Sequence, residues 1–575
     1  PEISIEPDFL TEDEEFNREH PDLPTYRDLY LMTFELASKY GTPYYDNQIP
    51  PYRGAGEGIS CYQCLAGDEL IPIVDSDGRT RIRQIKELFE STTRDERHTD
   101  LNGTEFARLD AKTPSVDIAS MTASLRPFRG VMRQKHSGEM LRITLESGRR
   151  ITVTPDHPVF TLNTGKFTKK SARSLRTGDY LPVVKTAEFC IKTVRELDIA
   201  ETLCTAGYAD EIVSQNGEVN IRNAKRHGLP RTLPITEEFI RFLGYYLAEG
   251  CSDTSGRRYT VRLSFGSHEK ELIQDAIACI NGFLGYKPLV SEEATATNVT
   301  VNSKLLYLFL DAIGCGKCAT EKDIPDLLFD VDRDLVGTYL DAAFRGDGNI
   351  TIQTGQRGSY VHRARGIRMK LVSRTAVQKL VWLAQRIGVQ MNYIEQETTV
   401  AHPQTGEPYP LTAYTCTITA QDQIHRFSRK TGYGTAAVTE SSRRTGGIFT
   451  RLPIEASGLS HAGLIYASQY AASGHHSAQV SLIRPEAQTG DVERLINGDL
   501  HPVRIRSIER LPYDGYVYDL VDVAGTHTFS NALGIVTGNC CAYQFSSLAN
   551  EDDEFEDKLY FREGKHFSMG SWQVM

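Results

Sequence analysis

Between Leu141 and Thr154 apolar and polar positions alternate: Leu141-Arg142-Ile143-Thr144-Leu145, a Ser147-Gly148 turn, then Ile151-Thr152-Val153-Thr154. Residues two apart on a strand share a face, so this period predicts half-buried strands joined by a tight turn. Similar short segments, punctuated by turn residues, run from Cys64 to about residue 185 and predict an all-β unit. From about 235 to 430 the period lengthens to that of helices, as in Glu237 to Leu247 and Thr375 to Ile387, with strand-like pieces between. Strand alternation returns at Val503 and continues through Tyr516-Val517-Tyr518-Asp519-Leu520 to Asn539. One β unit is therefore split by an inserted α/β unit. The stretch from about 432 to 490, rich in Ser, Gly, Ala and His, reads as irregular or linker-like.

At 575 residues the chain exceeds one ordinary core, which fits several units of roughly 100–200 residues each. Hydrophobic residues at 40% and charged residues at 24% are globular values, and the lack of a bilayer-length apolar run gives no sign of a membrane role. The opening Pro1-Glu2 has neither the basic stretch nor the apolar core of a signal peptide, so a cytoplasmic fragment is expected. A net charge of -11 argues against a surface that binds nucleic acid everywhere, which leaves a local basic patch. Eleven scattered cysteines suggest a reducing compartment and individual reactive thiols rather than a disulfide framework. Cys61 with Cys64 and Cys315 with Cys318 have Cys-x-x-Cys spacing, but the pairs lie too far apart for one zinc ribbon.

Three segments carry the chemistry. Cys64-Leu65-Ala66-Gly67-Asp68 opens the first β unit, Thr154-Pro155-Asp156-His157 lies within it, and Val517 to Cys540 closes the second. In this order they resemble the N-terminal, Thr-x-x-His and C-terminal motifs of inteins. The resemblance implies an all-β, horseshoe-shaped Hint splicing domain that excises residues 64–539 without a cofactor. A thiol at Cys64 can attack the carbonyl of Gln63 and turn the amide into a thioester. In the implied scheme His157 protonates the departing nitrogen, Thr154 orients the peptide, and Cys540 takes over the acyl chain. Asn539 then cyclises on its own carbonyl and frees the insert. Asp519 falls at the family's acidic position, suited to take the proton of Cys540, and His527 matches the histidine upstream of the cleavage site. Gly538 departs from the pattern, because the family usually has His there; the expectation is that His527 supplies the missing help, so that His527→Ala stalls release and Gly538→His partly rescues it.

Within the insert, Phe242-Leu243-Gly244-Tyr245-Tyr246-Leu247-Ala248-Glu249-Gly250 resembles the LAGLIDADG motif of homing endonucleases, and Tyr339 to Gly348 is a looser second copy. Gly244/Ala248 and Ala342/Gly346 place small residues four apart on one helix face, which permits close helix packing. Glu249 and Asp347 then sit together at two helix C-termini, where a divalent cation, Mg²⁺ by preference, would offset their repulsion. Lys322 matches a basic position upstream of the second family motif. Alternating strands after each acid carry Arg258 and Arg262, then Arg368 and Lys370, suited to phosphates of double-stranded DNA. The repeat of roughly 100 residues implies one monomeric chain with two pseudo-symmetric halves.

The expected organisation is a host segment at 1–63, splicing residues 64–185, a connecting or DNA-recognition region at 186–234 and the nuclease at 235–432. A linker or accessory region follows at 433–499, then splicing residues 500–539 and a host segment at 540–575. Gly41-Thr42-Pro43-Tyr44 with the Ser60-Cys61 segment is similar to ribonucleotide reductases, and the resemblance points to the anaerobic, ribonucleoside-triphosphate class. On that reading one thiol among Cys61, Cys540 and Cys541 serves reduction. Two rivals stand beside splicing: an autoprocessing domain that cleaves without ligation, and a DNA-binding module that has lost its nuclease activity.

Overall fold

Apolar alternation builds the first β unit strand by strand. The computed structural model describes residues 64–539, apart from 94–96, 100–103, 187–188, 190, 225–227, 358–359, 402–405, 436–446 and 474. Calls on the flanks, Cys61, Cys540 and Cys541 included, lie outside the described residues. Strands β1 (Leu65–Ala66), β2 (Leu70–Val74), β3 (Thr80–Gln84), β4 (Glu105–Asp117), β5 (Thr122–Leu145), β6 (Arg150–Val153), β7 (Pro158–Asn163), β8 (Lys166–Ser171) and β9 (Tyr180–Val184) form its N-terminal part. Leu141, Ile143, Leu145, Ile151 and Val153 are all buried, as their spacing requires.

The insert repeats one pattern twice. Its first half runs α1 (Glu237–Glu249), β10 (Gly250–Ser255), β11 (Arg258–Gly266), α2 (Lys270–Leu284), β12 (Leu289–Glu292), β13 (Ala296–Val301) and α3 (Lys304–Ala312). The second runs α4 (Arg333–Asp347), β14 (Gly348–Arg357), β15 (Tyr360–Leu371), α5 (Arg374–Arg386), β16 (Asn392–Ala401), β17 (Pro408–Ile418) and α6 (Gln421–Thr431). Both four-stranded sheets share one order, β10-β11-β13-β12 and β14-β15-β17-β16. Thr236 caps α1 by accepting from the Phe239 N–H, and both α1 and α4 stop at an extended glycine, Gly250 or Gly348, that turns the chain straight into a strand.

The chain then re-enters the first unit through β18 (Leu500–Val521), β19 (Thr528–Ser530) and β20 (Val536–Gly538). Strand β18 pairs with β9 at one end and with most of β5 at the other, from Ile505↔Leu145 to Val521↔Gly130. It also flanks β1, with Leu65 opposite Tyr518. The main sheet has nine strands, counting a short one at Arg97–Thr99 that pairs with β4, and β19-β20-β7-β8 form a second one. Both chain junctions of the split unit therefore meet between the two sheets.

Residues 447–499 differ from the linker expectation. Short helical turns and a strand pair bury Leu452, Ile454, Leu464, Ile483 and Leu495 against Phe160, Leu162, Phe167 and Val536 of the β unit. Apart from the helix at Gly490–Asn497, where Val492 and Leu495 are buried three apart, each short turn gives only one or two side chains to the shared core, too few to set a period.

The insert is packed onto the β unit rather than tethered to it. Arg149, fully buried in the β5–β6 turn, donates to the main-chain oxygens of Leu533 (2.9 Å) and Met391 (2.9 Å) and to Gln390 Oε1 (2.7 Å). Burial alone pushes its pKa down to about 9. Gly148 beside it needs its positive φ of 75°, and a Cβ there would collide with the Tyr393 carbonyl oxygen at 1.6 Å. Thr80 donates from N–H and hydroxyl to Asp330 at 2.9 and 2.6 Å, Arg83 forks onto Asp326, and Arg374 pairs with Asp68. No helix among the described residues is long and apolar enough to cross a membrane.

Candidate active sites for splicing and DNA cleavage

Cys64 enters β1 fully buried, held at both ends of its backbone by one residue. Its N–H donates to Thr154 Oγ1 at 2.9 Å; its carbonyl accepts from the Thr154 N–H at 2.9 Å and from the Thr154 hydroxyl at 3.2 Å. Thr154 thus grips the Cys64 backbone through both its N–H and its carbonyl. Gln134 Nε2 reaches Cys64 Sγ at 3.4 Å, and burial, then the charge of Asp519, pushes the thiol pKa well above its ordinary value. The sulfur rests as a protonated thiol, so its attack needs a base.

His157 closes the same turn, its N–H on the Thr154 carbonyl at 3.1 Å. Its Nε2 lies 2.5 Å from Thr537 Oγ1 on β20. Asp519, buried on β18, accepts the Leu520 N–H at Oδ1 and acts electrostatically on Cys64. Asn539 is fully buried, its N–H on the His527 carbonyl at 3.0 Å. The loop before it is pinned: Asn531 donates to the buried carboxylate of Glu69 at 3.1 Å and accepts the Ile535 N–H at 3.0 Å. Cys64 at the start of β1, Thr154 and His157 in the β6–β7 turn, Asp519 near the end of β18, His527 before β19 and Asn539 after β20 are thus the placed site residues. Gln134, Glu69, Asn531 and Thr537 escaped the sequence reading, because only the strand register brings them in.

The second centre sits where α1 packs on α4. A Cβ on Gly244 would lie 2.6 Å from the Tyr339 oxygen and 2.7 Å from Ala342 Cβ; one on Gly346 would lie 2.5 Å from Ala248 Cβ and 3.2 Å from Glu249 Oε1. Only small residues allow that approach, which delivers Glu249 and Asp347 side by side. Burial, with the neighbouring Asp347 charge next, pushes Glu249 up to about 7; burial pushes Asp347 up to about 6. Lys322 opposes both shifts. It is itself buried, donates to the Tyr246 carbonyl and lies over the Tyr246 ring at 3.9 Å. Glu269, which no motif marked, adds a third negative charge from the start of α2.

Arg258 and Arg262 stand on the solvent face of β11, opposite buried Val261 and Leu263. Arg262 leans on Asp253 at 3.8 Å. Arg368 and Lys370 stand exposed on β15 between buried Ile367, Met369 and Leu371. Their register partners on neighbouring strands include Thr300, Thr415 and Thr417. Each sheet presents a polar, basic face.

The sequence model of the intein splicing domain matches residues 73–539. This chain belongs to the intein family. An uncharacterized protein of Methanocaldococcus jannaschii is 25% identical over 406 residues, 61% of this intein chain and 42% of that protein. The DNA polymerase II large subunit of Thermococcus kodakarensis is 28% identical over 349 residues, 52% of this chain and 19% of the polymerase. The chain thus spans less than half the length of these curated relatives. Among solved structures, a transcription factor IIB mini-intein is 27% identical, covering 21% of this chain and 70% of its own, with a TM-score of 0.20. Mesophilic variants of the homing endonuclease I-DmoI are 12% identical, covering 34% and 94%, with a TM-score of 0.23.

The intein's Gly538 lies in a tight place on β20. A Cβ there would lie 3.0 and 3.1 Å from Pro158 Cγ and Cβ, so the strand uses glycine to lie against the residue after His157. Gly538→His is therefore expected to displace β20 and lower both release and melting temperature instead of improving release. His527 holds a left-handed φ of 53°, a conformation Asn tolerates better than Ala. His527→Asn removes the imidazole with the least backbone change and is expected to slow Asn539 cyclisation by roughly 10²–10⁴. Build-up of branched precursor on a denaturing gel checks the second outcome; differential scanning calorimetry checks the first.

Proposed function

We propose that this intein excises residues 64–539 and ligates its flanks, and that its insert cuts double-stranded DNA. The burial of Cys64 and Asn539 at the joined ends of one β unit carries the splicing reading. The gripped Cys64 peptide favours the first acyl shift, and Asn539 suits release. A domain that only cleaves has no use for an Asn-Cys junction at 539–540. Expressing the full chain and weighing the products tests this: a free 64–539 insert and a joined flank product are expected, whereas two unjoined flanks would favour cleavage alone.

For the insert, we infer that Glu249 and Asp347 hold a hard divalent cation, Mg²⁺ by preference. Two crowded carboxylates with raised pKa values, beside an amine rather than a thiol or imidazole set, fit such an ion. When bound it would polarise a phosphate and acidify water. Lys322 keeps the paired acids from full mutual repulsion, and the faces of β11 and β15 offer Arg258, Arg262, Arg368 and Lys370 to the backbone phosphates. The repeated halves suit a single copy acting on both strands.

The raised carboxyl pKa values set a sign. Without metal the folded site keeps its protons above the range of unfolded carboxyls, so its contribution to stability falls as pH rises toward about 7. Cation binding needs both groups ionised and gains with pH over the same window. The melting-temperature rise produced by Mg²⁺ is expected to be larger at pH 8 than at pH 5.5; equal rises at both would count against this pair as the site.

For the flanks, the Gly41-Thr42-Pro43-Tyr44 and Ser60-Cys61 segments support a ribonucleotide reductase host, with a reductive thiol among Cys61, Cys540 and Cys541. The polymerase named among the relatives describes that protein. A cytoplasmic setting and a monomeric nuclease complete the proposal.

A further inference from the structure

The contact between His157 and Thr537 holds more than packing. Both side chains are fully buried, and Thr537 lies two residues before Asn539 on β20, paired with Phe529 on one side and Val159 on the other. Its hydroxyl oxygen is 3.0 Å from the Pro158 carbonyl oxygen and 2.5 Å from His157 Nε2. A carbonyl can only accept. The single hydroxyl proton therefore goes to Pro158, and the remaining contact requires Nε2 to be the donor. Proline contributes no N–H of its own, and a register slip that moved Thr537 would turn it to the other face of the strand.

We propose that Thr537 is a positioning residue that fixes neutral His157 as the Nε2–H tautomer, so that its lone pair sits on Nδ1. This deepens the splicing reading and rests on it. A protonated, buried Cys64 thiol must lose its proton as sulfur attacks the Gln63 carbonyl carbon, and the departing Cys64 nitrogen must gain one. With the tautomer fixed, Nδ1 takes the thiol proton, the C–S bond forms, and the same Nδ1–H goes to the nitrogen as the C–N bond breaks. The products are a thioester and the Cys64 amine, with every proton accounted for. The opposite tautomer would present a proton where a lone pair is needed first. Because Thr537 belongs to the strand that carries Asn539, the geometry of the C-terminal junction also sets the protonation pattern at the N-terminal one.

Two measurements on the full chain test this. Ring ¹⁵N shifts of His157 are read above its titration range in a Cys64→Ala precursor, assigned by comparison with His157→Gln. Thiol-induced cleavage after Gln63 is timed in an Asn539→Ala background. Thr537→Val keeps the side-chain shape and is expected to give mixed tautomer signals and slow thioester formation by about 10–100-fold. That is less than the roughly 10⁴ seen when a charged residue setting a catalytic tautomer is lost. Thr537→Ser restores the hydroxyl and is expected to recover both readouts. An unchanged tautomer in Thr537→Val, at whatever rate, overturns the inference, as does a serine variant that stays slow with normal tautomer signals. A parent chain that never forms thioester would instead overturn the splicing reading, and the shifts would still decide the tautomer. Should Thr537→Val melt far below the parent, Thr537→Ser against Thr537→Ala carries the same comparison.

Discussion

Cys64→Ala is expected to end ligation altogether while some cleavage after Asn539 continues. On the proposed route the sulfur takes the Gln63 acyl group from the Cys64 nitrogen; Thr154 grips the Cys64 backbone, while the Gln134 contact and the Asp519 field bear on the thiol itself. Removing a nucleophile around which a site is built costs rate by several powers of ten, on the order of 10⁶ where it has been taken apart piece by piece. Asn539 cyclises through its own side chain, and its loop is pinned by Glu69 and Leu70, so this half survives. Mass spectrometry should show the intact precursor, a slowly released C-terminal flank and no joined flanks. Joined flanks from Cys64→Ala would remove the thioester route. Asn539→Ala makes the complementary case, with branched precursor accumulating.

Glu249→Gln and Asp347→Asn are expected to abolish cutting of DNA that carries the uninterrupted host gene, while splicing proceeds at the parent rate. The amides keep the shape needed under the Gly346 contact but cannot bind a hard cation with a formal charge. A second readout separates loss of chemistry from loss of fold. At pH 8 the parent holds two crowded carboxylates whose ionisation is resisted by burial, so relieving either should leave the metal-free melting temperature equal or higher. Undiminished cutting by the double variant would refute the assignment of both acids.

What the sequence made legible was whatever is local in the chain. Cys64, the Thr154 to His157 turn, Asn539 and the two helix-ending acids are neighbours of their own motifs. The exposed Arg368 and Lys370 follow from simple alternation on β15. The partners of those residues were illegible for one reason: Thr537, Gln134 and Asn531 reach the site through pairings between segments hundreds of residues apart or across a long hairpin. Gly538 shows what the motif alone leaves out: a Cβ there would meet Pro158, a residue from a distant part of the chain. Residues 447–499 hid for a related reason, since much of the core they join, Phe160, Leu162, Phe167 and Val536 included, is supplied by distant strands.

Arg149 bears on how such a chain could ever be shortened. Deleting the insert between β9 and β18 would strip Gln390 and Met391 from a guanidinium that sits at zero exposure, and leave the Leu533 carbonyl as its remaining partner among those described. The same deletion would remove the residues that bury the guanidinium, Phe449 over its face included, so water would take the place of the lost acceptors. What a trimmed version loses at position 149 is therefore a fixed anchor for the Leu533 carbonyl, six residues before Asn539, rather than the solvation of a charge.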